Sequence, residues 1–223
     1  MRRAASGQAM LEFVLVFPIV LVFIMGIIEM SMLAVAHQVV NYASFCAARS
    51  AVVNGAYDRA AMLAAMTLSP ANDLGGPAPP GDLVSKAQTL KLRYAAGRFK
   101  NSFRQTYVWI DCYNQAGSRI QRFTAHENSS VPAALPAATD HVKAGVLYLY
   151  RLQFPVIATI VNLAGKYYGS ATGGGDVRDI FYVAPEPLIS DMPYDQWSEA
   201  RKVSKSSGMT YIPIVKWCIM GKN

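Results

Sequence analysis

The chain has 223 residues, of which 52% are hydrophobic and only 16% are charged, and its mean hydropathy is +0.20. Soluble domains usually carry roughly 25% charged residues, so this composition excludes an intrinsically disordered chain and a coiled coil. Three cysteines are too few for a disulfide-dense mini-protein. The net charge of +7 permits an acidic partner without demonstrating one.

The apolar residues are concentrated near the N-terminus. No charged residue occurs from Phe13 to Ile28, and the apolar sequence resumes after Glu29. A membrane-spanning helix needs about 20 predominantly apolar residues, so this stretch is predicted to cross a membrane. Arg2 and Arg3 precede it, whereas only Arg49 follows it closely. The positive-inside rule therefore places the N-terminus in the cytoplasm and the remainder outside it.

The residues before the span differ from those of an ordinary secretory signal peptide. The apolar stretch is too long, and no Ala-x-Ala cleavage site follows it. Small residues instead precede the stretch and end at Gly7, and Glu12 stands where the apolar residues begin. A charge in the bilayer interior costs about 2.5–3.5 kcal/mol on insertion scales. Taken alone, Glu12 could equally be a helix-start acid at the membrane surface, stabilised by the helix dipole.

Together these residues resemble the processing site of type IV pilin-like proteins. A basic leader ends at Gly7 and is followed by Gln8-Ala-Met-Leu-Glu12-Phe13 and a long apolar helix. This arrangement is most similar to that of the TadE-type minor pilins of Flp/Tad pilus systems, and the similarity continues to about Val53. The resemblance implies cleavage by a prepilin peptidase between Gly7 and Gln8, and a helix-assembly contact at Glu12 and Phe13. An uncleaved signal anchor is the alternative.

The resemblance implies a membrane-inserted minor pilin or pseudopilin that takes part in pilus assembly in a priming, tip or adhesion role. The expected partners are other pilins and minor pilins, a prepilin peptidase, an inner-membrane assembly platform and membrane lipid, with no nucleic acid. The protein is expected in the cytoplasmic membrane, with its C-terminal part periplasmic or extracellular and possible incorporation in the pilus. A single-pass, signal-anchored surface or receptor protein is the alternative function.

Two further residues of the apolar stretch call for a physical account. Pro18 has no amide proton, so it weakens one helical hydrogen bond and permits a kink. Glu29 follows Glu12 by about 25 Å along a helix, which places it near the opposite membrane face. An interfacial carboxylate is therefore favoured over a buried proton relay at this position.

Composition divides the chain into four segments: a leader at 1–7, a transmembrane and extended helix at 8–68, a Pro/Gly-rich linker at 69–82 and an extracytoplasmic α+β domain at 83–223. A helix is predicted from Leu83 to Phe103. A stripe of basic residues runs along it and ends just beyond it: Lys86, Arg93, Lys100 and Arg104. The stripe indicates a solvated helix face or a contact with a polyanion or an acidic subunit.

Alternating apolar residues predict strands in the remaining sequence. The strand Thr106–Tyr113, a turn and a second strand over Arg119–Ala125 form a predicted hairpin. A further strand is predicted over Val142–Phe154, and the apolar segment Val156–Leu163 is predicted to extend it. Additional strands are predicted near the C-terminus, at Ile180–Val183 and Tyr211–Met220.

The predicted fold class is α+β, with a long N-terminal transmembrane helix followed by a small, mostly antiparallel β-sheet domain and an additional helix. A second membrane span over the apolar stretch around Val156 is disfavoured because Arg151, Gln153 and Pro155 interrupt it.

The sequence contains no recognisable catalytic or metal-binding motif. There is no His-Glu-x-x-His helix, no Gly-x-Ser-x-Gly elbow and no zinc-ligand spacing. No enzymatic activity, cofactor or metal is therefore expected. In an oxidising compartment, Cys112 and Cys218 could form a disulfide that ties the C-terminal segment to the sheet, with free buried thiols as the alternative. Cys46 lies on the first helix and is expected to pack as a small apolar residue.

Overall fold

The computed structural model describes residues 4–55, 57–68, 105–124, 134–171 and 210–222. The predicted helix Leu83–Phe103, its stripe residues Lys86, Arg93, Lys100 and Arg104, and the predicted strand Ile180–Val183 lie outside these ranges. The described elements, in chain order, are α1 (Ala4–Asn54), α2 (Tyr57–Thr67), β1 (Thr106–Tyr113), β2 (Arg119–Thr124), β3 (His141–Arg151), α3 (Pro155–Ala171) and β4 (Tyr211–Gly221). The predicted α+β class is confirmed.

The first helix, α1, is continuous over 51 residues and includes Pro18. At 1.5 Å per residue its length is about 75 Å. It ends where Gly55 adopts a positive φ of 59°, a conformation that glycine takes without steric cost. The Gly55 amide donates a hydrogen bond to the carbonyl of Ala51 at 2.9 Å and so closes the last turn. Because the chain turns at this glycine, α2 folds back against α1.

Among the described residues, four strands form one antiparallel sheet in the order β2-β1-β3-β4. The predicted hairpin is confirmed: β1 and β2 are joined by a turn in which Gly117 has a φ of 76°. The side-chain oxygen of Asn114 accepts a hydrogen bond from the Ser118 amide at 2.8 Å and stabilises this turn. The predicted strand at Tyr211–Met220 is also confirmed as β4, which pairs with β3.

The hydrophobic core lies between one face of the sheet and the C-terminal half of α1 together with α2. The residues that α1 buries there are small and recur at helical spacing: Ala36, Val40, Ala43, Ala47 and Ala51. The predicted alternation of β3 is confirmed, because Val142, Ala144, Val146, Tyr148 and Tyr150 all belong to this core. Small side chains on α1 allow its backbone to approach the sheet closely, so half of α1 is a structural part of the folded domain.

Tyr57 connects α2 to the sheet. Its hydroxyl donates a hydrogen bond to the carbonyl of Val108 in β1 at 3.0 Å. Its ring stacks on Phe123 of β2, with ring centroids 5.8 Å apart. This single buried side chain therefore contacts both strands of the hairpin and fixes α2 over them.

The prediction that Val156–Leu163 extends the third strand is wrong. The strand β3 ends at Arg151, and this segment belongs to α3, which begins at Pro155. Proline is well suited to the first position of a helix, where its fixed φ is helical and its missing amide would have had no partner. The β-branched residues that favoured a strand carry only a weak preference, and packing of Ala158 and Val161 against the core overrides it.

Candidate functional site

The N-terminal half of α1 presents a continuous apolar surface. The side chains from Met10 to Val20 are all exposed, and large apolar side chains remain exposed as far as Ile28. The segment Met10–Ile28 is about 28 Å long at 1.5 Å per residue, close to the hydrocarbon thickness of a bilayer. Length and composition therefore make this helix capable of crossing a membrane.

The residues predicted to act in processing and assembly lie at the start of this helix. The Gly7–Gln8 peptide bond is within the first turns of α1, which begins at Ala4. The side chains of Glu12 and Phe13 are exposed. The Phe13 ring stacks on Phe17, one turn further on, with centroids 5.4 Å apart. The structure thus places these residues on one helical segment, and their roles in cleavage and assembly stay predictions.

A buried carboxylate lies where the exposed half of α1 meets the domain. Glu29 is only 2% exposed. One of its oxygens accepts a hydrogen bond from the Tyr150 hydroxyl at 3.0 Å. The backbone amides of Gln153 and Phe154 donate to the carboxylate at 3.2 Å. We call these four residues the Glu29 junction.

The chain positions the two amides of the Glu29 junction at the N-terminus of α3. The carbonyl of Phe154 accepts the first hydrogen bond of that helix, from the Ala158 amide at 3.0 Å. Amides at a helix N-terminus have no intrahelical acceptor, and the helix dipole favours a negative charge beside them. Glu29 therefore caps α3 from a different helix, and its buried charge is compensated by directed donors.

The surroundings of Tyr150 in the Glu29 junction change the pKa of its hydroxyl. Burial raises the pKa of this phenol above its ordinary value, and the hydrogen bond to Glu29 and the negative charge of that residue raise it further. Tyr150 therefore remains a hydrogen-bond donor at neutral and moderately alkaline pH. Burial likewise raises the pKa of Tyr148, two residues earlier on the same strand face.

The Glu29 junction was not among the predicted sites, although its parts are visible in the sequence. A single carboxylate interrupts a long apolar run, and Pro155 marks a possible helix start. The expected position of Glu29 near a membrane face did not reveal that the protein itself buries this side chain. Its partners lie more than a hundred residues away in the chain, as the separations of 121 to 125 residues show.

The structure does not bring Cys112 and Cys218 together, and all three cysteines are free thiols. Cys112 lies on β1 and Cys218 on β4, with β3 between them. Adjacent strands are about 4.8 Å apart, so two strand spacings separate the pair by more than the roughly 7 Å between Cα atoms that a disulfide allows.

Two charged side chains of the sheet form a salt bridge between β1 and β2. The Asp111 carboxylate is buried and receives two hydrogen bonds from the Arg122 guanidinium, at 2.5 and 2.8 Å. These residues face each other across the β1–β2 pair. Within the described ranges, no three His, Cys, Asp or Glu side chains are grouped as ligands for a metal ion.

Comparison with known proteins assigns the first part of the chain. Residues 7–49 match the family model described as TadE-like protein. No curated protein and no solved structure matches the chain significantly. The matched residues cover the exposed half of α1, Glu29 and most of the face of α1 that packs on the sheet. We call this face the alanine face, after Ala36, Ala43, Ala47 and Ala51. The resemblance predicted from Gly7 to about Val53 is thus confirmed over residues 7–49, which form a TadE-like segment and point to an Flp/Tad pilus-related function.

Proposed function

We propose that this protein is a membrane-inserted minor pilin or pseudopilin that takes part in assembly of an Flp/Tad pilus. The observation that carries the proposal is the coincidence of the TadE-like match with α1. Its exposed apolar half needs lipid or neighbouring helices around it, because a surface of this size is unfavourable in water. Its other half is built into the folded domain.

Assembly proceeds through the start of α1 after cleavage between Gly7 and Gln8. Cleavage leaves a new positive amine on Gln8, and Glu12 lies one helical turn further on. The carboxylate neutralises this amine or that of an adjacent subunit. An unpaired charge is costly in a low-dielectric environment, so pairing gives the incoming helix a preferred axial register. The partners are other pilins, the prepilin peptidase and the inner-membrane assembly platform.

Two variants test this function in cells that carry the pilus system. Replacing Gly7 with Trp should leave full-length precursor in the membrane, because the peptidase needs a small residue before the cut. Intact mass distinguishes Met1 from Gln8 as the first residue. An unprocessed wild-type chain would instead favour the signal-anchored surface protein.

The second variant, Glu12→Ala, should be inserted and processed but should fail to co-purify with the pilus or its assembly complex. The matched control is Leu11→Ala, which changes a neighbouring exposed side chain and retains the carboxylate. Incorporation of Glu12→Ala at the wild-type level would show that Glu12 is only a helix-start acid at the membrane surface.

A further inference from the structure

The helix α3 has one face directed into the domain and one that is open. On the inner face, Ala158 and Val161 pack against the core, and the Asn162 amide donates a hydrogen bond to the Thr210 hydroxyl at 2.7 Å. The open face carries exposed large apolar side chains at spacings of four and three residues: Val156, Ile160 and Leu163. This spacing places all three on a single stripe of the helix, which we call the outer stripe.

The start of α3 lies against the membrane-spanning part of α1. A Cβ added to Gly26 would lie 3.9 Å from Cδ1 of Ile157. The two helices bound an open apolar groove of about 440 Å³ whose lining side chains are all hydrophobic: Val22, Phe23, Ile27, Met30 and Ile157, together with Gly26. The apolar surface of α1 therefore meets the first turn of α3 at Ile157.

The depth of α3 follows from its contacts with α1. The Glu29 junction holds the N-terminus of α3 at the end of the apolar run. Ile157, in the first turn of α3, is beside Gly26. Gly26 precedes Glu29 by three residues, which is about 4.5 Å along α1 toward the middle of the apolar run. Helices that lie in the membrane interface bury their apolar face about 5–10 Å into the boundary between headgroups and acyl chains.

The composition of α3 agrees with this depth. No charged residue occurs from Pro155 to Gly165, and the first one is Lys166. The amides before Pro155, which would be costly to bury without partners, are satisfied by Glu29. The helix α3 has 17 residues, and polar and glycine residues follow it directly in the sequence. It is therefore short for a membrane span.

We propose that α3 is an interfacial membrane helix whose outer stripe contacts the acyl chains of the leaflet where α1 leaves the bilayer. The protein then contacts the membrane at two places, a crossing helix and a helix lying in the surface, joined at the Glu29 junction. This inference rests on membrane insertion through α1, which belongs to the proposed function. Lipid is favoured over a protein partner because α3 begins against the apolar surface of α1 proposed to face lipid, where Ile157 lines the groove next in the chain to Val156 of the outer stripe.

The test uses the full chain reconstituted into vesicles of phosphatidylethanolamine and phosphatidylglycerol. An environment-sensitive fluorescent amino acid is incorporated in place of Ile160, or in a second variant Leu163. The matched control is the same substitution of Ile120 in β2, because Ile120 is 41% exposed and Ile160 is 48% exposed. A probe at Val20, inside the apolar half of α1, reports membrane insertion itself. Spin-labelled lipids with the label near the headgroup or deep in the acyl chain act as quenchers.

The expected result is loss of emission at positions 160 and 163 with the shallow label, loss at position 20 with the deep label, and no loss at position 120 with either label.

Quenching at position 20 without quenching at 160 and 163 would overturn the inference and leave insertion through α1 intact. A blue shift at 160 without quenching by lipid would mean that a second protein covers the stripe and would also overturn it. Stronger quenching at 160 by the deep label would indicate a span rather than an interfacial helix. Absence of quenching at position 20 would overturn the membrane insertion on which both proposals depend.

Discussion

Glu29 joins three separate segments through one side chain. It lies on α1, its hydroxyl donor is on β3, and its amide donors precede α3. Because a buried carboxylate without donors is strongly unfavourable, these contacts set both the axial position of α1 against the sheet and the start of α3. The residue therefore fixes the place at which the apolar helix enters the folded domain.

Replacing Glu29 with Ala should lower the free energy of unfolding by about 3 kcal/mol, because a buried hydroxyl and two amides lose their acceptor. Thermal or denaturant unfolding in detergent, followed by near-ultraviolet circular dichroism, measures the change. The control is Glu12→Ala, which removes a carboxylate from the exposed part of the same helix. Equal stability of the two variants would contradict the structural role of the Glu29 junction.

Tyr150 and Tyr148 form a matched pair on the same face of β3. The Tyr150 hydroxyl donates to Glu29, whereas the buried Tyr148 hydroxyl has no hydrogen-bond partner among the described residues. Tyr150→Phe should therefore destabilise the protein by about 1–3 kcal/mol, while Tyr148→Phe should be neutral or slightly stabilising. Denaturant titration of the two variants measures this difference. If Tyr148→Phe were the more destabilising variant, the hydrogen bond from Tyr150 to Glu29 would contribute less to stability than the Tyr148 hydroxyl does.

The raised pKa values of these two phenols also predict a pH dependence. The folded protein holds both protons more tightly than the unfolded chain, whose tyrosines titrate near pH 10. The contribution of these two phenols to the free energy of unfolding should therefore be constant below this pH and fall as the pH rises beyond it. Unfolding curves at increasing alkaline pH test this, and the double variant Tyr148→Phe/Tyr150→Phe should show a smaller fall. A slope unchanged in the double variant would assign the effect to other groups.

At the scale of the elements, β3 occupies the centre of the sheet and is buried on both faces. Val146 and Tyr148 face α1 and α2, whereas Leu147 and Leu149 belong to a second cluster with Trp109 on the opposite face. In this second cluster the Trp109 indole lies directly over Gly145, its partner across the β1–β3 pair. A residue without a side chain is therefore required at position 145.

Gly145→Ala should destabilise the sheet by about 1–3 kcal/mol, because the added methyl group would overlap the buried indole of Trp109. The matched control is Gly221→Ala in β4, where, among the described residues beyond its chain neighbours, no atom lies within 4 Å of the added Cβ. Tryptophan fluorescence and thermal unfolding follow both variants. A stable Gly145→Ala protein with unchanged fluorescence would mean that the indole can move aside at little cost.

Local patterns predicted most of the described elements. The apolar run predicts α1, and alternating apolar residues on either side of a glycine-containing turn predict the β1–β2 hairpin. Both patterns lie within a short window of sequence. The same local evidence failed at α3, whose β-branched residues favour a strand. Its helical state depends on the capping carboxylate of Glu29 and on the core contacts of Ala158 and Val161, none of which are local.

The candidate site was predictable only in part for the same reason. Gly7, Gln8, Glu12 and Phe13 form a contiguous motif that can be recognised along the chain. The Glu29 junction depends on strand order and on the packing of α1 against β3, which the sequence pattern does not specify. The strand order also separates Cys112 from Cys218, a fact that their positions in the sequence could not show.

For the whole molecule, the core unites α1, α2 and the sheet into one folded unit. Cys112 lies inside this core, whereas Cys46 on α1 and Cys218 on β4 are partly exposed. Burial raises the pKa of the thiols of Cys112 and Cys218, so each is mostly protonated at neutral pH. The reactivity of the three thiols therefore reports the integrity of the unit.

Alkylation of the native protein should label Cys46 and Cys218, and should label Cys112 only on unfolding. Raising the pH toward the alkaline range should accelerate labelling of Cys218, because the thiolate is the nucleophile. Peptide mapping by mass spectrometry identifies the labelled residues, and a denatured sample serves as the control. Recovery of a linked Cys112–Cys218 peptide, or labelling of Cys112 as fast as Cys218, would contradict this arrangement of strands.

The pairing of β4 with β3 has a consequence for biogenesis. α1 is synthesised first and β4 far later, yet Ile214 of β4 is buried in the core that also contains the alanine face of α1. In the proposed topology, α1 would therefore enter the membrane before β4 covers the face of α1 that packs on the sheet. Alanine exposes little apolar area, so this surface is only weakly unfavourable in water before β4 and the rest of the sheet cover it. In the membrane-inserted topology proposed above, the domain can close only after the chain has been delivered through β4, so an interrupted export event would leave an anchored, incompletely folded chain.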